Sequence, residues 1–235
     1  MTTNPYALQD RVTASAAPVA ERATFLKRVY GLVLAGVLSF AATLWAAGNL
    51  APVTDAMMGL WRMTSGRYGT LVYYGILIGA FWGVHAVARS SPLNLIAFFG
   101  LTVLLGLFTA PMVLSVAARD PSTLNTAAAT TALVFTGLTA IVVLSGKDFA
   151  FLRSALLLAG WGMFVYLIAG AIWGFAPSMG FTVAGVLLFA GYILYDTSNV
   201  LRRYPTDMAV SAAVELFTDV VYLFQWILSL LSRRN

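Results

Sequence analysis

The sequence predicts an all-α membrane protein, built as a bundle of seven transmembrane helices. Three observations carry this. Of the 235 residues, 60% are hydrophobic and only 10% are charged, where a soluble domain carries roughly a quarter charged residues. The mean hydropathy is +0.85. The apolar residues fall into seven runs of about the 20-residue length that a bilayer core demands, separated by short segments rich in Gly, Pro and charge. One bundle, residues 29–231, is expected between a polar tail, 1–28, and a short basic tail, 232–235.

Taken in order, residues 1–26 are polar with no apolar core after a charged start, so no cleavable signal peptide is expected. The tail ends on Lys27 and Arg28 and is expected to be flexible or to lie on the surface. Span 1 covers about 29–47, and a Gly-, Pro- and Met-containing connection, 48–69, follows. Span 2, about 70–88, carries Gly75, Gly79 and Gly83 at every fourth position. That spacing leaves one flat helix face where a neighbour can pack closely. The Arg89-Ser90-Ser91-Pro92 stretch ends it, because the residue before proline is driven out of the helical region. Span 3 covers about 93–116, with Pro111 expected to kink it. A polar loop, 117–126, leads to span 4 at about 127–144. Gly146, Lys147 and Asp148 turn the chain into span 5, about 149–173. An uncharged turn, 174–180, precedes span 6, about 181–201, and span 7 covers about 208–231.

Lys and Arg in short loops set orientation. With the N-terminus cytoplasmic, Arg11, Arg22, Lys27, Arg28, Arg89, Lys147, Arg153, Arg202 and Arg203 lie inside, and Arg62, Arg67, Arg119, Arg233 and Arg234 lie outside. The asymmetry favours a cytoplasmic N-terminus, although the two terminal arginines dissent. Because these residues are scattered, the net charge of +5 reads as orientation and not as a nucleic-acid surface.

Spans 6 and 7 hold the exception to apolarity. Asp10, Glu21, Asp55, Asp120, Asp148 and Asp207 are expected in tails and loops, but Asp196, Glu215 and Asp219 sit within the last two spans. An ionisable group inside a span is costly and marks function by default. Tyr192, Asp196, Asn199 and Arg203, spaced 4, 3 and 4 apart, share one helix face, as do Glu215, Asp219 and Tyr222 on the next helix. If the two helices form a hairpin, the stripes meet. Two close carboxyls in a low-dielectric site cannot both be ionised and tend to share one proton. Protonated, the pair holds two helices together; ionised, it repels and attracts a cation. The purely structural alternative pairs Asp196 with Arg203 or with hydroxyl groups.

Arg89, at the expected cytoplasmic end of span 2, is a candidate counter-ion. His85, one turn back, is the chain's single histidine and a candidate pH sensor, with hydrogen-bonded filler as the plainer role. No cysteine means no disulfide, thiolate metal site or thiol catalysis. There is no P-loop, H-E-x-x-H or G-x-S-x-G, so neither a nucleotide-driven pump nor a hydrolase is expected, and the chain is not read as an enzyme.

At Tyr195-Asp196-Thr197, the following basic turn, and Glu215-Leu-Phe-Thr-Asp219-Val-Val-Tyr-Leu-Phe, the chain resembles the Bax inhibitor-1 family. The run Phe25-Leu-Lys-Arg-Val-Tyr-Gly-Leu resembles that family's entry into its first helix. The resemblance implies seven helices wrapped around a central last helix, and a pH-sensitive calcium leak gated by two aspartates that share a proton. Asp196 and Asp219 match those positions. The Glu215 position is acidic in some members and polar in others. An arginine near the end of the second helix is a latch in some members, and Arg89 matches it after a small insertion. The resemblance also implies a multi-pass protein of a bacterial inner membrane. Two functions are open. One is a proton-gated leak for Ca²⁺, held weakly and transiently by Asp196 and Asp219 with help from Asn199, and requiring no cofactor. The other is a non-conducting regulator that binds another membrane protein, such as a quality-control protease. The intramembrane acids favour the leak.

Overall fold

The computed structural model describes residues 13–66 and 68–233; the first twelve residues of the expected tail, Arg67 and Arg234 lie outside the described residues. The described chain is helical: α1 (Val19–Asn49), α2 (Ala51–Thr64), α3 (Gly69–Ala86), α4 (Leu93–Arg119), α5 (Pro121–Ser145), a 3-10 turn (Ala150–Leu152), α6 (Arg153–Trp173), α7 (Met179–Arg202) and α8 (Ala209–Ser232). All but α2 are long and apolar enough to cross a membrane, with α6 counted from the 3-10 turn.

The last helix is the centre of the bundle. It packs against α1, α4, α5 and α7. Half of its most apolar window is buried, against 6% for α6. In lipid the hydrophobic effect gives no drive between helices, so close van der Waals contact has to hold them. The contacts here are aromatic and edge-on: Phe217 meets Phe98 with ring centroids 5.7 Å apart and Phe40 at 6.4 Å. Gly36 lets α1 come this close, since a Cβ there would stand 2.7 Å from Phe98 Cζ. On the α7 side Gly185 receives the Trp226 indole, 2.4 Å from where a Cβ would be.

The structure corrects four expectations. α1 begins at Val19, ten residues before the expected span, and residues 13–18 ahead of it lie against the end of the bundle. Ala14 is fully buried, its N–H donates to the Tyr204 carbonyl (2.9 Å), and the Ser15 hydroxyl donates to the Arg202 carbonyl (2.7 Å). The connection after α1 is itself a helix, α2, started by Pro52 and seated by Met57 against Ala47 and Ala110. Glu21 and Asp55 therefore lie on helices and not in loops.

The loop expected at 117–126 shrinks to Asp120. Its carboxylate accepts from the Ser122 N–H (2.9 Å) and the Thr123 hydroxyl (2.7 Å), and Pro121 needs no donor at the first helical position. Finally, Gly75, Gly79 and Gly83 do not seat a neighbour. Nothing in the described structure lies within 4 Å of a Cβ placed at any of them, because α3 packs through Tyr73, Leu77 and Val84 instead. Pro111 lies inside α4, which continues to Arg119.

The termini and turns sort into two ends. Residues 13–18 and the turns 87–92, 146–149 and 203–208 share one end, as the bonds of Ala14 to Tyr204 and of Arg203 to Asp148 show. At the other end Arg233 donates to the Pro177 carbonyl (2.8 Å), so α8 traverses the whole bundle and finishes beside the α6–α7 turn.

Candidate functional site

α7 reads apolar until Leu194 and then switches to Tyr195-Asp196-Thr197-Ser198-Asn199 within an unbroken helix. At 3.6 residues per turn, Asp196, Asn199 and Arg203 line one face. Pro205 lies in the turn after α7, so α8 folds back and lays Glu215 and Asp219 along that face. Asp196 and Asp219 are both buried, 8% and 5% exposed, and their carboxyl groups hydrogen-bond to each other. The contact needs a proton, because carboxylate oxygens only accept. Asp219 Oδ2 is meanwhile buried with no protein donor.

A chain of polar contacts runs from this pair to the surface. Asn199 Nδ2 donates to Asp196 Oδ1 at 3.4 Å, Arg203 Nη1 donates to Asn199 Oδ1 at 3.2 Å, and Arg203 Nη2 meets Asp148 Oδ2 at 2.7 Å. Arg203 thus pairs with Asp148 and not with Asp196, and reaches the buried acids only through Asn199. Asp148 is fixed in turn: its carboxylate accepts from the Ala150 N–H (2.9 Å) and from the Ser198 hydroxyl (3.4 Å). The Ala150 N–H, followed by the Arg203 guanidinium, holds its carboxyl below the usual carboxylate range. The neighbouring Arg202 donates to the Gly146 carbonyl, so both arginines tie the α5–α6 turn to the end of α7.

Glu215 is half-buried and lies beside the Tyr204 hydroxyl. Burial, and then the charge of Glu215, push the Tyr204 hydroxyl up from its ordinary value, so it remains a donor at neutral pH. Asp196, Glu215 and Asp219 all line one cavity of about 510 Å³ walled by α3, α6, α7 and α8. His85 stands exposed at its rim with Nδ1 donating to the Phe81 carbonyl at 2.8 Å. Arg89 is exposed in the turn beyond α3, is not a wall of this cavity, and among the described residues makes no hydrogen bond or ion pair to the acids.

Two site residues escape the sequence reading. Asp148 reads as an ordinary turn acid; its signal is its position on the same expected side as the Arg202-Arg203 pair. Tyr204 follows the polar stripe by a single residue and gives no periodic signal. Among the described residues no group of three or more His, Asp or Glu is clustered to hold a metal ion.

The profile of the Bax1-I family, described as inhibitor of apoptosis-promoting Bax1, matches residues 22–235. A membrane protein of Vibrio cholerae is 30% identical over 195 residues, covering 80% of this chain and 86% of that protein. Bax inhibitor 1 of Schizosaccharomyces pombe is 30% identical over 237 residues, covering 98% and 85%. Protein lifeguard 4 of Mus musculus is 27% identical over 230 residues, covering 94% and 90%.

Proposed function

The chain belongs to the Bax1-I family of multi-pass membrane proteins, and from that premise we propose that it is a pH-sensitive leak for calcium, gated by the Asp196–Asp219 pair. One observation carries the reading: two buried carboxyls lie side by side on the wall of one cavity. A group that needs a proton to be stable, placed where a cation would pass, couples proton and cation. With the proton shared, α7 and α8 are held together and the pair offers no net site. When the proton leaves, repulsion parts the helices and the pair becomes an anionic oxygen site. Calcium prefers six to eight oxygens. Two carboxylates, with Glu215 and the Asn199 carbonyl nearby, hold it weakly enough to release it.

The Asp148–Arg203–Asn199 chain serves as the latch, a role the sequence assigns to Arg89. It joins the α5–α6 turn to the helix that carries Asp196, so parting α7 from its neighbours must stretch it. The positive loops favour the latch end of the bundle as the cytoplasmic one, in the inner membrane of a bacterium. Proteoliposomes containing the purified chain are expected to take up calcium, and empty vesicles are not; no uptake at any pH would remove the reading.

A second reading has its own support. The glycine face of α3, with open space beside Gly75, Gly79 and Gly83, is a surface on which a helix of another membrane protein can pack. Copurification of a partner, lost on Gly79→Leu, is the result that would put this regulatory reading first.

A further inference from the structure

A second cavity, of about 420 Å³, lies toward the other end of the bundle from the acids. It reaches Met57 and Trp61 of α2 and Pro177 of the α6–α7 turn, the end opposite the latch. The same helices wall both cavities in succession. On α3 the acid-lined cavity touches Phe81 and His85, and the second touches Thr70. On α6 the first touches Gly160 and Met163, and the second Gly170 and Ala171. They share only Tyr73, Tyr74, Leu167 and Gln225. Two cavities that approach from opposite ends and meet at one layer of side chains describe a path with a closure in it.

That layer is held by neutral polar and aromatic contacts. The side chains of Tyr73 and Tyr222 stand next to each other, bringing α3 to α8. Gln225 Nε2 donates to Thr109 Oγ1 at 2.7 Å, joining α8 to α4. Edge-on contacts of Tyr73 with Phe108 and of Tyr74 with Phe164, both with ring centroids 4.9 Å apart, set the tyrosines in place. Tyr222 and Gln225 lie about 4.5 and 9 Å beyond Asp219 along α8. No carboxylate borders the second cavity.

We propose that Tyr73, Tyr222, Gln225 and Thr109 form a second closure of the path, in series with the aspartate pair and opened by exchange of hydrogen bonds instead of by charge. The inference rests on the proposed cation path through the bundle. While this layer is shut, ionisation of the aspartates admits a cation from the latch end into the inner cavity and no further. When the layer parts, its hydroxyl and amide oxygens turn to the path as neutral ligands, the hard-oxygen type calcium takes, without a fixed charge that would trap it.

The natural absence of cysteine makes this testable by sided labelling. Thr218→Cys places a thiol in the acid-lined cavity, and Ala171→Cys places one in the second cavity. With the protein reconstituted in known orientation, a charged methanethiosulfonate is applied to one face at a time. Position 218 should react from the latch face and position 171 from the α2 face. Adding Tyr222→Phe, or independently Thr109→Val, should raise the reaction of position 218 from the α2 face about fivefold, the factor one net hydrogen bond supplies. Equal reaction of position 218 from both faces in the otherwise unaltered chain would overturn the proposal. So would unchanged cross-face rates in both added variants. Labelling needs no calcium, so the expected labelling together with absent calcium uptake would uphold the closure and remove the calcium reading alone.

Discussion

Asp219 is a buried carboxyl beside Asp196, and its Oδ2 has no protein donor. Burying such a group ionised and unpaired is prohibitive, which is the physical ground for the proposed shared proton. Its neighbours behave differently. Asp148 is half-exposed, and its ion pair with Arg203 is of the kind that contributes at most about 1 kcal/mol. Its folded carboxyl lies below the ordinary value, so its stabilising contribution is complete above the ordinary carboxylate range, near pH 4. That contribution is lost as pH falls through the folded value. The Asp148–Arg203 pair is therefore intact at neutral pH, and the proposed response in the neutral range is assigned to the buried pair. Arg203→Ala should leave the melting temperature in detergent nearly unchanged but raise basal calcium uptake at pH 7; unchanged uptake would remove the latch role. Tyr204→Phe removes the hydroxyl beside half-buried Glu215 and, if that hydroxyl serves the carboxyl, should cost about 1–3 kcal/mol in thermal or denaturant unfolding. A loss below a few tenths would mean that water already serves Glu215.

At the scale of elements, the structure separates glycines that the sequence treats alike. Gly185→Val drives a side chain into the Trp226 ring and should break the α7–α8 seam, seen as loss of a monodisperse peak in detergent gel filtration. Gly79→Val adds a side chain to open space and should leave that peak intact. The seven long helices are legible because each is a long apolar run, and their ends fall where Gly, Pro and charge collect. What is not legible follows from local chemistry that polarity obscures. Arg119-Asp120-Pro121 reads as loop, yet Asp120 caps α5 and Pro121 starts it. Gly48, Pro52 and Gly59 read as breakers, yet a proline in the first turn starts α2, and Met57 seats it. Residues 19–28 read as tail because they are charged, yet a helix end that overhangs a bilayer can be charged and still helical.

For the whole molecule, the spacing of Tyr192, Asp196, Asn199 and Arg203 and of Glu215 and Asp219 is enough to bring the acids to one site once the hairpin closes. Periodicity cannot tell which cation answers which acid. Arg203 leaves Asp196 for Asp148, fifty-five residues away in sequence, and Arg89 stays outside the cavity. The two ends of the bundle are also fixed only relative to each other. A reporter inserted at Lys147 is expected to be cytoplasmic and one at Asp120 external, and the reverse pattern would invert the path. The central claim, that Asp196 and Asp219 act as one proton-sharing gate, is tested most directly by calcium uptake into proteoliposomes across pH for the unaltered chain, Asp196→Asn, Asp219→Asn and the double variant. Uptake should rise with pH as the shared proton leaves. Either single change should flatten that dependence, and the double change should add little, because the two groups form one unit. Full pH-dependent uptake in the double variant would contradict the account.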